Sequence, residues 1–309
     1  MKFSLRFPGQ DRLPGVAQEW HSRLTPPDYQ RVVGVADDLG FSAITVSEHI
    51  VLPLGEVDRL GAYWPHAMTT MAFIAGATRR IRVNSSVIIL PLHHPITLAK
   101  AISTLDVLSG GRVTLAVGVG HAQREFEALD VPFRERGRRV DEALDLMRLL
   151  WIEERPVYQG DFFSLEGVVF EPRPVQVPHP PIWVGGNSKA ALRRAARHDG
   201  WIANAVRMDL AEIPRYLDYL WAVPEFAARN RPFEVAASTD AFAPGEVPAF
   251  DGGSPAAAGA ILDVMLTKFS ALRRDGVTFS AVPLPPLDDV GEYVEFLHWF
   301  AEYVMPHFG

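Results

Sequence analysis

Residues 82 to 120 read RVNSSVIILPLHHPITLAKAISTLDVLSGGRVTLAVGVG, and this stretch decides the fold. Val83 to Leu90 is β-branched and apolar, which predicts a strand. Pro91 and Pro95 bracket a short loop carrying His93 and His94. Pro95 suits a first helical turn, because its missing N–H would have no partner there. Ile96, Leu98, Ala99, Ile102, Leu105 and Leu108 then recur at helical spacing, and Gly110-Gly111 closes the helix. Val113, Leu115 and Val117 begin a second strand that ends at Gly118 and Gly120. Strand, crossover helix and strand of these lengths make a βαβ unit with parallel strands.

The pattern extends in both directions. Upstream, Lys2 to Phe7 alternates as a first strand, Asp28 to Leu39 is a helix, Phe41 to Val46 a second strand, and Ala67 to Thr78 a helix of small apolar residues. Downstream, Arg138 to Trp151 places Val140, Leu144, Met147 and Trp151 on one helical face. Residues 155–181 interrupt the alternation. VYQGDFFSL reads there as a hairpin, followed by five prolines, and together they form an insertion before strand five. Ile182 to Val184, Ser188 to His198 and Trp201 to Ala203 resume it. Asp209 to Arg229 is helical with a break near Pro224, and Phe233 to Ser238 is a strand. Ala256 to Arg274, Val277 to Val282 and Asp288 to Val304 complete the series. Eight strands alternating with helices predict a (β/α)8 TIM barrel with insertions, built as one domain over residues 1–309. By pattern alone a doubly wound open sheet is the alternative.

Composition narrows the function. The 309 residues are 48% hydrophobic, enough for a large core, and contain no cysteine, which excludes disulfides, thiolate metal sites and thiol nucleophiles. A formal charge of −7 argues against a nucleic-acid partner, which favours a basic face. No apolar run of about 18 residues free of charge is present, and the N-terminus lacks the apolar length of a signal peptide, so the expectation is a cytoplasmic protein without a membrane partner.

In such a barrel the working face lies at the carboxyl ends of the strands. That rule selects Phe7 to Gln10, Ser47 to His49, Ser86 to His94, Gly118 to Glu125, Gly185 to Lys189, Asn204 to Arg207, Ser238 to Asp240 and Val282 to Leu284. It brings Gly120 and Arg124 into the candidate cofactor-binding set. Gly185-Gly186-Asn187-Ser188 reads either as a cradle for an anion at a helix N-terminus or as an ordinary capped turn. Lys189, Arg193, Arg194 and Arg197 form either a local basic field or a solvated helix face. His49, beside Glu48, reads as a proton-exchanging or ring-contacting group, or as a structural histidine. His93, His94 and His121 lack a spaced carboxylate or cysteine set, so no metal site is expected. Glu125, Arg136 and Arg139 are expected to make structural ion pairs.

ILPLHHPITLAKAISTLDVLSGGRVTLAVGVG, followed by EFEALDVPFRERGRRVDEALDLMRLLW and PPIWVGGNSKAALRRAARHDGWIAN, strongly resembles the bacterial luciferase-like oxidoreductases, and most closely the branch using the deazaflavin coenzyme F420. The matching blocks run from about Gly40 to Asn204. The resemblance implies the barrel rather than the open sheet, and a coenzyme F420-dependent oxidoreductase moving a hydride between C5 of the deazaflavin and a small organic substrate. The alternatives are an FMNH2-dependent two-component monooxygenase using FMN, or a non-catalytic flavin-binding barrel. It implies phosphate binding at Gly185, Gly186, Asn187 and Ser188, with a longer F420 tail served by Lys189, Arg193, Arg194 and Arg207. Glu48 and His49 are similar to an acidic-residue-plus-His signature lying against the coenzyme ring, which makes His49 the leading acid/base. A non-prolyl cis peptide behind the ring is implied at Ser86-Val87, with Ser85-Ser86 as the fallback. Related deazaflavin enzymes place an acidic residue about where His121 stands, so His121 either replaces it as proton donor or lines the pocket. Family members often pair as homodimers, and the small-residue face Ala67, Met71, Ala72 and Ala75 would permit close packing. The loop from Val51 to Pro65, with Tyr63 and Trp64, is expected to form an apolar lid.

Overall fold

The computed structural model describes residues 1–10, 12, 17–204, 208–238, 242 and 245–309. Eight parallel rungs close on themselves. Strand β1 (Lys2–Arg6) pairs with β2 (Ala43–Val46), which pairs with β3 (Arg82–Ser85). Beyond β3 come β5 (Val113–Gly118), β8 (Ile182–Gly185), β9 (Gly200–Ile202), β10 (Glu234–Ala236) and β11 (Phe279–Ala281), and β11 returns to β1. The registers Leu5↔Ile44, Thr45↔Asn84, Asn84↔Thr114, Ala116↔Trp183, Val184↔Trp201, Val235↔Trp201 and Ala236↔Phe279 trace the ring, and Phe3↔Ser280 closes it. The chain is therefore a closed (β/α)8 barrel, and the open-sheet alternative is excluded.

Period-two alternation sorts each strand into two cores. Phe3, Leu5, Ile44, Val83, Leu115, Val184 and Trp201 point outward and pack under the helices. The major helices are α1 (Pro26–Asp38), α3 (Ala67–Ala77), α4 (Pro95–Ser109), α6 (Arg136–Ile152), α7 (Lys189–Ala196), α8 (Ile213–Trp221), α10 (Pro255–Arg274) and α11 (Val290–Tyr303). The lumen holds a separate small cluster, Ala43, Ala116, Trp183, Ala236 and Phe279, with Val87 and Ile202 against it. Helix α4 starts as its sequence requires: the His94 side chain caps Ile96 N, Pro95 is the first helical residue, and Gly110 ends the helix at φ +69°.

Several expectations need correction. The third strand does not run unbroken from Val83 to Leu90. It stops at Ser85, crosses a cis peptide between Ser86 and Val87, the position expected for it, and resumes as β4 (Ile88–Ile89) before a 3-10 turn at Leu90–Leu92. A helix, α5 (Gln123–Ala128), follows β5 where none was foreseen, because QREFEA is too short and polar to show a periodic face. The loop from Val51 carries its own short helix, α2 (Val57–Leu60). The insertion is a hairpin of β6 (Tyr158–Gln159) and β7 (Ser164–Leu165), held to α6 by Glu142, whose carboxylate accepts from the amides of Asp161, Phe162 and Phe163. Of the face Ala67, Met71, Ala72 and Ala75, all but the exposed Ala72 are buried inside the chain. Among the described residues, α10 is the one helix long and apolar enough to cross a membrane. It buries Ile261, Met265, Phe269 and Leu272, and the Phe269 ring meets Phe3 and Phe300 edge-on, as in a core helix.

Candidate active site

At the carboxyl end of β2 the chain turns through Ser47, Glu48 and His49, which become the hub of a buried polar network. The Ser47 carbonyl accepts from Gln10 Nε2 at 2.5 Å. Glu48, 4% exposed, accepts from Ile89 N at 2.8 Å and lies 2.9 Å from His93 Nε2, both through Oε2. Its other oxygen, Oε1, is buried with no partner. His49 places Nδ1 3.0 Å from Glu125 Oε2, and the second Glu125 oxygen accepts from Ile50 N at 2.7 Å. Glu125 is fully buried. A buried carboxylate at this distance accepts the Nδ1–H, which leaves Nε2 as the ring nitrogen turned away from Glu125.

Two rings flank His49. Trp64 meets it edge-on at 4.8 Å and His121 at 5.6 Å. His121 in turn lies 3.1 Å from Arg59 Nη2, a residue of α2, so the loop foreseen as a lid is joined to the tip of β5 through this contact. Arg59 also pairs with Glu56.

The interrupted third strand ties a second strand tip to this hub, through Ile89 and Glu48. Its Val87 side chain fills the lumen so closely that a Cβ on Gly118 would fall 2.7 Å from one Val87 methyl, and a Cβ on Gly185 2.9 Å from the other. These glycines are therefore required by the close approach of Val87. Gly120, at φ +74°, is fixed the same way by Ile89 and the Phe126 ring.

The third tip is the turn before α7. Gly186 sits at φ +121°, and its N–H is taken by Ile202 O. Both ends of the Asn187 amide bind the backbone of Asn204, at 2.9 Å each. Ser188 caps Ala191 N. The side chains of Asn187 and Ser188 thus build the turn, and the amides left to an anion are those opening α7, with Lys189 beside them.

The expected basic field divides. Arg194, 5% exposed, is locked to Asp141 on α6 at 2.7 and 2.9 Å and to Gly137 O, and Arg197 reaches the same carboxylate at 2.8 Å. Neither is free to serve a ligand tail. Arg193 donates to the Tyr219 hydroxyl at 2.7 Å, and Lys189 stands over the same ring. Arg207, Thr239 and Asp240 lie outside the described residues. Arg124 is exposed on α5, one residue before Glu125.

Sequence reasoning placed Glu125 among structural ion pairs and did not see that its partner is His49. No local signal marks it, because the partner lies 76 residues away in the chain. Among the described residues no group of three or more metal-ligating side chains occurs, and His93 is used instead on Glu48.

A closed (β/α)8 barrel with a buried carboxylate–histidine pair at its strand tips is the frame of a barrel enzyme. The chain belongs to the luciferase-like monooxygenase family, whose model matches residues 1–243. An uncharacterized protein of Mycobacterium tuberculosis is 32% identical over 220 residues, 67% of this chain and 75% of the relative. The F420-dependent glucose-6-phosphate dehydrogenase of Kineococcus radiotolerans is 33% identical over 181 residues, 57% of this chain and 52% of that enzyme. Among solved structures, monooxygenase RslO1 from Streptomyces bottropensis superposes over 100% of both chains with a TM-score of 0.77 at 24% identity, a likeness of fold.

Proposed function

We propose that this protein is a coenzyme F420-dependent oxidoreductase acting on a small organic substrate in the cytoplasm. The observation that carries the reading is the Glu125–His49 pair at the tip of β2, joined through Glu48 to the strand that carries the Ser86–Val87 peptide. When bound, F420 supplies hydride transfer at C5 of its deazaflavin. The chain supplies the rest. Val87, seated on Gly118 and Gly185, gives a flat ring an apolar floor. The orphaned Glu48 Oε1 offers a buried acceptor, which a ring N–H would satisfy. The amides opening α7, with Lys189 and Arg193, take the phosphate end. His49 Nε2 exchanges the proton that accompanies the hydride, while Glu125 stabilises the imidazolium. Trp64 and the Arg59–His121 contact exclude water over the site.

An FMN-dependent monooxygenase is the second reading, favoured by one observation. Asp141 holds Arg194 and Arg197, which shortens the basic channel that a glutamyl tail would need. Titrating the purified protein with F420 and with FMN, by cofactor fluorescence, separates the two. Saturable F420 binding without FMN binding supports the first reading, and saturable FMN binding without F420 binding overturns it.

A further inference from the structure

The lumen holds a hollow at the amino ends of the strands, opposite the candidate active site. Its volume is about 420 Å³. Small-molecule sites occupy roughly 300–1,000 Å³, whereas one water takes up about 30 Å³.

The charged residues around it are engaged with one another or with backbone. Lys2 pairs with Glu234, and Arg231 with Asp199 at 3.1 Å. Arg82 donates to Thr114 Oγ1, Val113 O and Gln176 Oε1. Three neutral groups are left unmet. Asn84, 1% exposed, has no partner for either its amide oxygen or its amide nitrogen, and the Trp183 indole N–H is buried without an acceptor. Both residues line the hollow. The Trp183 ring is parked against Gly200, where any Cβ would lie within 2.6 Å of it, and meets Phe279 edge-on at 5.0 Å. Polar atoms removed from water call for partners, so a cavity that offers one acceptor and several donors between aromatic walls specifies its occupant. A charged ligand would find Lys2, Glu234, Arg231 and Asp199 already paired and the Arg82 donors turned to Thr114, Val113 and Gln176. An amide edge matches the Asn84 carboxamide in both senses, donor to acceptor and acceptor to donor.

We propose that this barrel-floor cavity is a second small-molecule site, selective for an uncharged planar molecule with an amide or lactam edge. Entry is from the base of the barrel, where the Lys2 side chain is 57% exposed. The site faces away from His49 and takes no part in the proposed chemistry.

Benzamide and 2-pyridone are the probes, with benzoate as the charged control. Protein labelled with 15N-tryptophan reports through the Trp183 indole resonance, assigned by its loss in Trp183→Phe. Either neutral probe should shift that resonance saturably, benzoate at least tenfold more weakly, and Asn84→Leu and Trp183→Phe should each raise the probe Kd at least tenfold. Probe affinity in Trp183→Phe is read by calorimetry, so the proposal does not depend on Asn84→Leu folding. An unmoved indole resonance at saturating benzamide and 2-pyridone, with only water in the cavity of soaked crystals, overturns the proposal. So does benzoate binding as tightly as benzamide.

Discussion

Glu125 holds His49 through one carboxylate oxygen and the amide of Ile50 through the other, so a single buried side chain fixes both the ring and the backbone turn beneath it. A glutamine in its place keeps the size but presents either a donor or a weaker acceptor to Nδ1, which releases the tautomer and no longer stabilises a charged ring. Glu125→Gln is expected to lower kcat by about 100-fold, in the range of general acid–base contributions, while the cofactor Kd changes less than about threefold. Steady-state kinetics together with cofactor titration check this. A parallel loss of cofactor binding would instead make Glu125 a purely structural residue.

The split of the basic helix gives a second test. Arg193 faces Tyr219 and is half-free, whereas Arg194 is buried and answers Asp141. Arg193→Ala is expected to weaken F420 binding by about tenfold, the equivalent of about 1.4 kcal/mol, with little change in stability. Arg194→Ala removes its bonds to Asp141, a carboxylate that is 40% exposed and keeps Arg197, and leaves the Gly137 carbonyl without this donor, costing about 1–2 kcal/mol of stability. Fluorescence titration and urea unfolding of the two variants read these outcomes separately.

The barrel was legible in the sequence because its strands bury both faces and read as short apolar runs, while its helices bury one and show a period of 3.6, and the two alternate along the chain. Ser47 to His49 and Gly185 to Ser188 were legible as strand tips by the same logic. What the pattern did not carry was pairing across the barrel. Glu125 stands 76 residues from His49 and Asp141 53 from Arg194, and nothing local distinguishes a carboxylate that reaches inward from one that faces solvent. Helix α5 went unseen because six residues hold fewer than two turns of period, and the fate of the face Ala67, Met71 and Ala75 was decided by α1 and α4, which the sequence does not place.

Asp37 shows how far stability sits from the site. At the end of α1 its carboxylate accepts from the amides of Arg79, Arg80 and Ile81 at 2.8, 2.8 and 2.6 Å, fastening α1 to the start of β3. Burial pushes its pKa up, but these amides and the Arg80 charge outweigh burial and hold it below the usual carboxylate range. Asp37→Asn turns an N–H donor toward amides that need an acceptor. It is expected to cost about 2–4 kcal/mol by urea unfolding, since bonds to charged groups are each worth about 1.5–3 kcal/mol, with cofactor affinity unchanged. A cost below about 0.5 kcal/mol would show that the amides find other partners.

Three buried histidines set the acid limit of the fold. Burial, reinforced by Arg148, Arg197, His179 and Arg231, drives the His198 pKa well below its ordinary value. Burial lowers that of His179 also, against the opposing Pro180 carbonyl and Asp199, and burial with the Arg12 charge takes His21 down to about 4. Each of the three therefore takes up its proton at lower pH in the folded protein than in the unfolded chain, where protonation sets in below about 6.5. The unfolded state therefore binds more protons below that point, and stability falls as pH falls, by up to about 1.4 kcal/mol per pH unit for each imidazole. The carboxylate of Asp37 adds its loss only at lower pH, as it titrates below the unfolded value. Urea midpoints are expected to hold level from pH 8 to 7 and to drop steadily from about 6.5 toward 4. His198→Gln, neutral throughout, should remove about one proton from that slope, and a variant slope equal to the wild type would mean that His198 is protonated in the folded state.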